Sequence, residues 1–262
     1  MKAVILCGGL GTRLREETEF RPKPMIEIGG MPILWHIMKT YSSYGFNEFI
    51  LCLGYKGKTI KDFFYNYEIA INDFTIELGT KNIEMYPRHE EHGWKVTLID
   101  TGENTMTGGR VKKVERFIDG DTFMLTYGDG LTDLNIKTLL EFHKSHKKIG
   151  TVTGVSPPSR YGELVIHDDH VISFSEKPAG EEAFINGGYF VFNRKFYDYL
   201  EDDDSCILER VPLEKLVSDG QLKVFQHRGF WQCMDTYRDY KFLKELWDNK
   251  PPWRIWEEKN NK

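Results

Sequence analysis

Residues 1–25 read MKAVILCGGLGTRLREETEFRPKPM, an apolar run that breaks into glycines and is followed by the cations Arg13 and Lys23. Ala3 to Cys7 reads as a strand. The segment Gly8-Gly9-Leu10-Gly11-Thr12-Arg13 then predicts a turn whose backbone N–H groups are open to a bulky anion. A tight strand-to-helix turn would also use glycine, for its backbone angles alone. Thr12, Arg13 and Lys23 in the same stretch favour the anion, and more specifically a polyphosphate. A Gly-Lys-Ser/Thr phosphate loop is absent, and the second strand ends in Gly54-Tyr55-Lys56 without the acidic residue of a dinucleotide fingerprint.

Working outward, strand-like and helix-like segments alternate, which is the pattern of a mostly parallel α/β sheet. Pro32 to Tyr44 predicts a helix, with Ile33, Leu34, Ile37 and Met38 on one face. Phe49 to Leu53 predicts a strand, and Thr59 to Tyr65 a helix. From Phe74 to Ile99 the pattern loosens around the polar stretch GTKNIEMYPRHEEHGW. A helix is predicted from about Gly109, a strand over TFMLTY, and a helix over LNIKTLLEFHKSH with Asp133 as its cap. After about residue 150 the chain is richer in β signals: GTVTGV, GELVI, VISFSEK, INGGYFVF and LKVFQHRGFWQCMD. A helical piece, LERVPLEKLVSDG, stops at Gly220.

The 262 residues suit a single domain, divided at about residue 150 without a linker-like seam. A net charge of −5, with mixed signs along the chain, argues against a nucleic-acid partner. No signal segment or apolar span is present, so a cytoplasmic protein without a membrane partner is expected. The four cysteines, Cys7, Cys52, Cys206 and Cys233, form no C-x-x-C pair and read as reduced thiols. His89-Glu90-Glu91-His92 lacks zinc-helix spacing and reads as a solvated loop, and His143 with His146 as a partly buried pair.

Two acidic positions complete the candidate site. Asp129, in Tyr127-Gly128-Asp129-Gly130, follows a strand, where open α/β sheets gather ligands. Asp235, in FWQCMDT, ends another strand, although it could instead cap the following helix. Two carboxylates beside a triphosphate are the usual arrangement for Mg²⁺.

LCGGLGTRL, RPKPMIEIGGMPIL, YGDG, SFSEKP, INGGYFVF and the late Asp235, in that order, resemble the sugar-1-phosphate nucleotidylyltransferases. The resemblance implies an α/β, Rossmann-like, doubly wound sheet, mostly parallel but mixed, with a smaller β-rich sugar-binding portion over about 151–262. It implies that the nucleotide lies against Leu6, Cys7, Gly8, Gly9, Gly11, Thr12, Arg13, Lys23 and Gly128, with Thr105 and Arg110 at the base. It places Glu176, Lys177, Asn186 and Gly187 at the sugar phosphate, and Asp129 and Asp235 on Mg²⁺. Arg13, Lys23 and Asp129 are then the residues of catalysis.

REET, VTLIDTGENTMTGGR and FWQCMDT resemble the cytidylyl-transferring members, which implies CTP and glucose 1-phosphate as substrates and a homo-oligomer, with a hexamer suggested. UTP or dTTP remain alternative donors, and a regulatory protein that binds a sugar nucleotide without catalysis remains an alternative role. Arg110 could favour cytosine by donating to N3 and O2, or be a surface arginine that starts a helix.

Overall fold

The computed structural model describes residues 1–88, 91, 93–156, 163–167, 170–175 and 184–260. Its central sheet contains β1 (Lys2–Leu6), β2 (Glu48–Leu53), β3 (Lys95–Asp100), β4 (Thr122–Tyr127), β5 (Gly150–Val155), β6 (Ile185–Asn193) and β7 (Leu222–His227). The spatial order is β7-β5-β6-β4-β1-β2-β3. β1 lies parallel to β2 and β4, β2 parallel to β3, and β5 parallel to β7. β6 alone runs antiparallel to both its neighbours, β4 and β5. Both halves of the chain therefore build one mixed, mostly parallel sheet.

Alternation along the strands divides the core in two, because successive side chains leave a strand on opposite faces. Ala3, Ile5 and Cys7 enter one cluster with Phe49, Leu51, Leu53 and Met124. Val4 and Leu6 enter the other with Ile50, Cys52, Phe123 and Leu125. This is why Ala3 to Cys7 has no polar face. Each fully buried Ile or Leu contributes about 1.5–3 kcal/mol through burial.

Helix α1 (Ile33–Ser42) lays Ile33, Leu34, Ile37, Met38 and Tyr41 on the first cluster. Helices α2 (Gly57–Tyr65) and α3 (Thr107–Lys113) follow, and Val111 of α3 enters the second cluster.

Helix α3 starts two residues before Gly109. Carbonyls from a remote turn meet its opening N–H groups: Met106 N donates to Asp204 O, and Gly108 N and Gly109 N donate to Cys206 O. A Cβ on Gly108 would lie 2.6 Å from Cys206 Sγ, so the two glycines admit that turn. Helix α4 (Ile136–His146) is capped by Asn135, whose side chain accepts from Thr138 N, and not by Asp133. Asp133 Oδ1 lies 2.9 Å from His227 Nε2 instead.

Among the hairpins that stand apart from the sheet are two longer ones. One pairs Asp73–Ile76 with Ile83–Tyr86, which lies inside the polar stretch, and the other pairs Glu163–His167 with His170–Ser175.

The chain closes with α5 (Val211–Ser218), α6 (Tyr237–Asp248) and α7 (Ile255–Asn260). The tail folds back: Trp253 and Trp256 are buried, and with Trp35 and Trp247 they surround His36 at centroid distances of 5.0–6.3 Å. His36 Nε2 donates to Ile28 O at 2.8 Å, which leaves Nδ1 to accept from Trp253 Nε1. Burial holds the His36 pKa down at about 4, so the ring is neutral at neutral pH.

The reversed direction of β6 matters most for the site. It places Ile185 to Gly188 beside the carboxyl ends of β4 and β1, where a crevice forms.

Candidate active site

Beyond Leu6 the chain enters the glycine segment, then a 3₁₀ turn over Thr12–Leu14. The glycines meet different demands. Gly11 has φ +62° and lies against Thr18, so both its angle and its surroundings require glycine. Gly8 lies against the Arg110 guanidinium, which leaves no room for a Cβ. At Gly9 a Cβ would meet nothing within 4 Å, so its bareness serves the open side of the loop.

Lys23 leads a 3₁₀ turn, Lys23–Met25, whose position is set by Pro22 and Pro24. Asp129 follows β4 across Gly128, whose N–H donates to Leu6 O at 3.0 Å. Asp235 follows a short strand, Trp231–Cys233, that pairs with Gly130–Thr132, and Met234 N donates to Asp129 O at 2.9 Å. That pairing brings the two carboxylates to one place. Thr236, in a capping box with Asp239, caps α6, so Asp235 is not used as a cap.

Lys23 Nζ lies 2.5 Å from Asp129 Oδ2 and 2.6 Å from Asp235 Oδ1, and Arg13 Nη1 lies 3.2 Å from Asp235 Oδ2. Burial alone would lower the Lys23 pKa, but Asp129 and Asp235 outweigh it and hold the ammonium above its ordinary value. Burial would likewise raise Asp235, and the hydrogen bond and charge of Lys23, with Arg13, bring it below the usual carboxylate range. Among the described residues no group of three or more His, Cys, Asp or Glu side chains converges as metal ligands. A two-carboxylate site already shaped around a cation fits Mg²⁺, which takes its remaining ligands from water and phosphate.

These groups border one cavity of about 820 Å³ that also includes Leu6, Cys7, Thr105, Arg110, Asn186 and Gly187. Its thiols are uncharged at neutral pH: burial pushes Cys7 well up, and burial followed by Asp235 pushes Cys233 up to about 12.

Arg110 sits differently from a base reader with a free fork. It is 4% exposed, and its Nη1 donates to Leu53 O, Thr101 Oγ1 and Gly102 O while Nη2 donates to Gly8 O and Glu103 O. It is not a surface arginine. It ties the glycine segment to the loop over 101–105. Thr105 Oγ1 likewise turns inward, donating to Thr101 O at 2.7 Å.

Asn186 and Gly187 reach the cavity through the reversal of β6, and Trp231 Nε1 donates to Gly187 O at 2.7 Å. Glu176 and Lys177 lie outside the described residues. The HEEH stretch departs from a solvated loop at Glu91, which is 7% exposed and bonded to Lys39 Nζ at 2.6 Å. His143 and His146 both bond Thr151 Oγ1.

Sequence reasoning overlooked Thr107, Tyr127 and Trp231 on the cavity wall. Trp231 and Tyr127 flank the two acidic motifs, so their positions carried a signal; Thr107 carried none.

The chain belongs to the nucleotidyl transferase family, whose model matches residues 2–241. It is 51% identical over 259 residues to the glucose-1-phosphate cytidylyltransferase of Salmonella typhimurium, covering 98% of this chain and 100% of that protein. Among solved structures, HddC from Yersinia pseudotuberculosis superposes with a TM-score of 0.68 at 29% identity, covering 93% of this chain and 98% of HddC. A UDP-glucose pyrophosphorylase bound to UDP-glucose shares the fold, with a TM-score of 0.69 at 14% identity, covering 95% of this chain and 98% of that one.

Proposed function

We propose that the chain transfers a cytidylyl group from CTP to α-D-glucose 1-phosphate, giving CDP-glucose and pyrophosphate. The observation that carries this reading is one cavity bordered at once by the glycine segment, Lys23, Asp129, Asp235 and the start of β6. The 51% identity to a glucose-1-phosphate cytidylyltransferase supports CTP and glucose 1-phosphate as the pair.

A phosphate oxygen of the sugar phosphate attacks the α-phosphorus, the new O–P bond forms, and the bond to the β-phosphate oxygen breaks in line. The attacking monoester is already anionic at neutral pH, so no general base is required. Catalysis then rests on alignment and on neutralising charge. Backbone N–H groups of Gly8, Gly9, Gly11 and Thr12, with Arg13, hold the triphosphate, and Leu6, Cys7 and Gly128 form the floor. Asp129 and Asp235 would hold Mg²⁺, which would supply positive charge to the phosphate oxygens. Lys23, held between those carboxylates, exchanges part of that contact for the reacting phosphates.

Asn186 and Gly187 line the sugar end, and the family resemblance assigns Glu176 and Lys177 to the sugar hydroxyls and the sugar phosphate. Arg110 serves base choice by fixing the loop over 101–105; direct donation to cytosine requires it to exchange one of its carbonyl partners. The protein works as a homo-oligomer, the assembly that the resemblance to the cytidylyl-transferring members implies. A single-chain mass by light scattering would contradict that.

The deciding experiment measures pyrophosphate release with CTP, UTP, dTTP and GTP against a panel of sugar 1-phosphates. Release is expected with CTP and glucose 1-phosphate. Preference for UTP or dTTP would change the donor, and release with no pair, metal supplied, would leave a binding protein.

A further inference from the structure

A continuous run of hydrogen bonds joins the two ends of the cavity through a residue to which neither sequence motif nor family resemblance gives a role. Glu209 lies in the turn that precedes α5, 82 residues from Tyr127. Its Oε1 accepts from Tyr127 OH at 2.5 Å and its Oε2 accepts from Thr107 Oγ1 at 2.6 Å. Thr107 is the first residue of α3, and its Oγ1 also accepts from Leu208 N at 3.0 Å. At the other end, Tyr127 OH accepts from Asn186 Nδ2 at 3.3 Å, and Asn186 Oδ1 accepts from Gly188 N at 2.8 Å.

Thr107, Tyr127 and Asn186 all line the cavity. Tyr127 is also two residues from Asp129, so the tilt of its ring is tied to the end of β4. Gly188, at φ +76°, leaves the space in which that ring lies.

Glu209 itself is exposed, and a lone surface carboxylate would contribute little. Here both oxygens are engaged, by hydroxyls from two different elements, and hydrogen bonds to a charged acceptor are the stronger kind. The same remote turn supplies the carbonyls that meet the first N–H groups of α3. One segment, 203–209, thus supports the base wall and reaches across to the sugar wall.

We propose that Glu209 is a positioning residue that sets the spacing of the two substrate subsites, by holding Tyr127 toward Asn186 and Thr107 at the start of α3. This rests on the functional reading above, in which 101–110 faces the base and 185–188 the sugar.

The test is initial-rate kinetics of pyrophosphate release for the wild type, Glu209→Ala, Glu209→Gln, Tyr127→Phe and the Ala/Phe double variant, with Tm measured alongside. Glu209→Ala is expected to raise KM for glucose 1-phosphate about tenfold and KM for CTP about threefold, while kcat changes less than about threefold. Its Tm should stay within about 2 °C of the wild type. Glu209→Gln keeps one acceptor oxygen and should recover part of the loss. The double variant should lose less than the sum of the two single variants, because Tyr127 and Glu209 share one hydrogen bond.

Wild-type turnover with Glu209→Ala within twofold in both KM values, or additive losses in the double variant, would overturn the role of Glu209 alone. No pyrophosphate from the wild type would overturn the functional reading, and this role with it.

Discussion

Arg13 and Arg110 line the same cavity, one on the wall proposed to face the phosphates, here the phosphate wall, and the other on the wall built from residues 101–110. The Arg13 side chain is 75% exposed and makes one ion pair, to Asp235. Arg110 is buried, and its terminal nitrogens are directed at the carbonyls of Gly8, Leu53, Gly102 and Glu103 and at the Thr101 hydroxyl. On the phosphate wall, cations rest on carboxylates, contacts that the proposed reaction would exchange for phosphate. On the other wall the cation is committed to the main chain. One wall is arranged for chemistry and the other to hold a shape.

The largest expected effect tests the phosphate wall. Asp129→Asn and Asp235→Asn should each lower kcat on the order of a thousandfold, or about 4 kcal/mol of barrier, in steady-state assays. Near-normal turnover in either would mean that its carboxylate does not serve the metal.

Next comes the contrast between the arginines. Arg110→Met strips donors from several buried carbonyls and should cost about 3 kcal/mol of stability by urea unfolding. Arg110→Lys should not restore it, since an ammonium cannot reproduce the planar fork. Arg13→Gln should leave stability within about 0.5 kcal/mol while lowering kcat/KM about a hundredfold. The reverse pattern would break the comparison. Comparing CTP with UTP in the Arg110 variants sharpens it, since an unchanged preference removes Arg110 from base selection.

A smaller effect separates two glycines. At Gly54 a Cβ would lie 2.5 Å from Arg110 Nη1 and 2.8 Å from Gly8 O, so Gly54→Ala should cost about 1–3 kcal/mol. Gly9→Ala meets nothing, and should leave stability within about 0.5 kcal/mol while raising KM for CTP. Equal stabilities for the two variants would contradict the division of roles.

The smallest effect is in acid. Asp235 has a lowered pKa when folded, so its contribution is present above the unfolded value and is lost as pH falls through the folded one. A third of the side chain is exposed, so less than about 1 kcal/mol is expected below pH 4, and Asp235→Asn should abolish that part of the pH dependence.

The phosphate wall was legible in the sequence and the other wall much less so, for a physical reason. Ala3 to Cys7, the glycine segment and Tyr127-Gly128-Asp129 are contiguous, and each carries its own periodicity or turn chemistry. The doubly covered sheet followed from the continuous apolar run Phe49–Leu53, and INGGYFVF carried the strand over Ile185–Asn193. The meeting of Asp129 with Asp235 depends on the pairing of Gly130–Thr132 with Trp231–Cys233, which no local pattern announces.

Arg110 looked like a free guanidinium, because nothing in TMTGGR shows that main-chain carbonyls from three other places surround it. Asp133 was the expected cap by residue type, but Asn135, two residues further on, accepts from Thr138 N and caps the helix instead. Glu209 carried no signal, since its two partners come from distant segments. Its place had to be seen in three dimensions.

The most direct test of nucleotidyl transfer follows oxygen. Glucose 1-phosphate carrying ¹⁸O in its phosphoryl oxygens is incubated with CTP and Mg²⁺, and the products are read by ³¹P NMR. Attack on the α-phosphorus puts all the label in CDP-glucose, including the oxygen that bridges its two phosphates, and none in pyrophosphate. Label in the released phosphate species, or a labelled product other than CDP-glucose, would contradict the account.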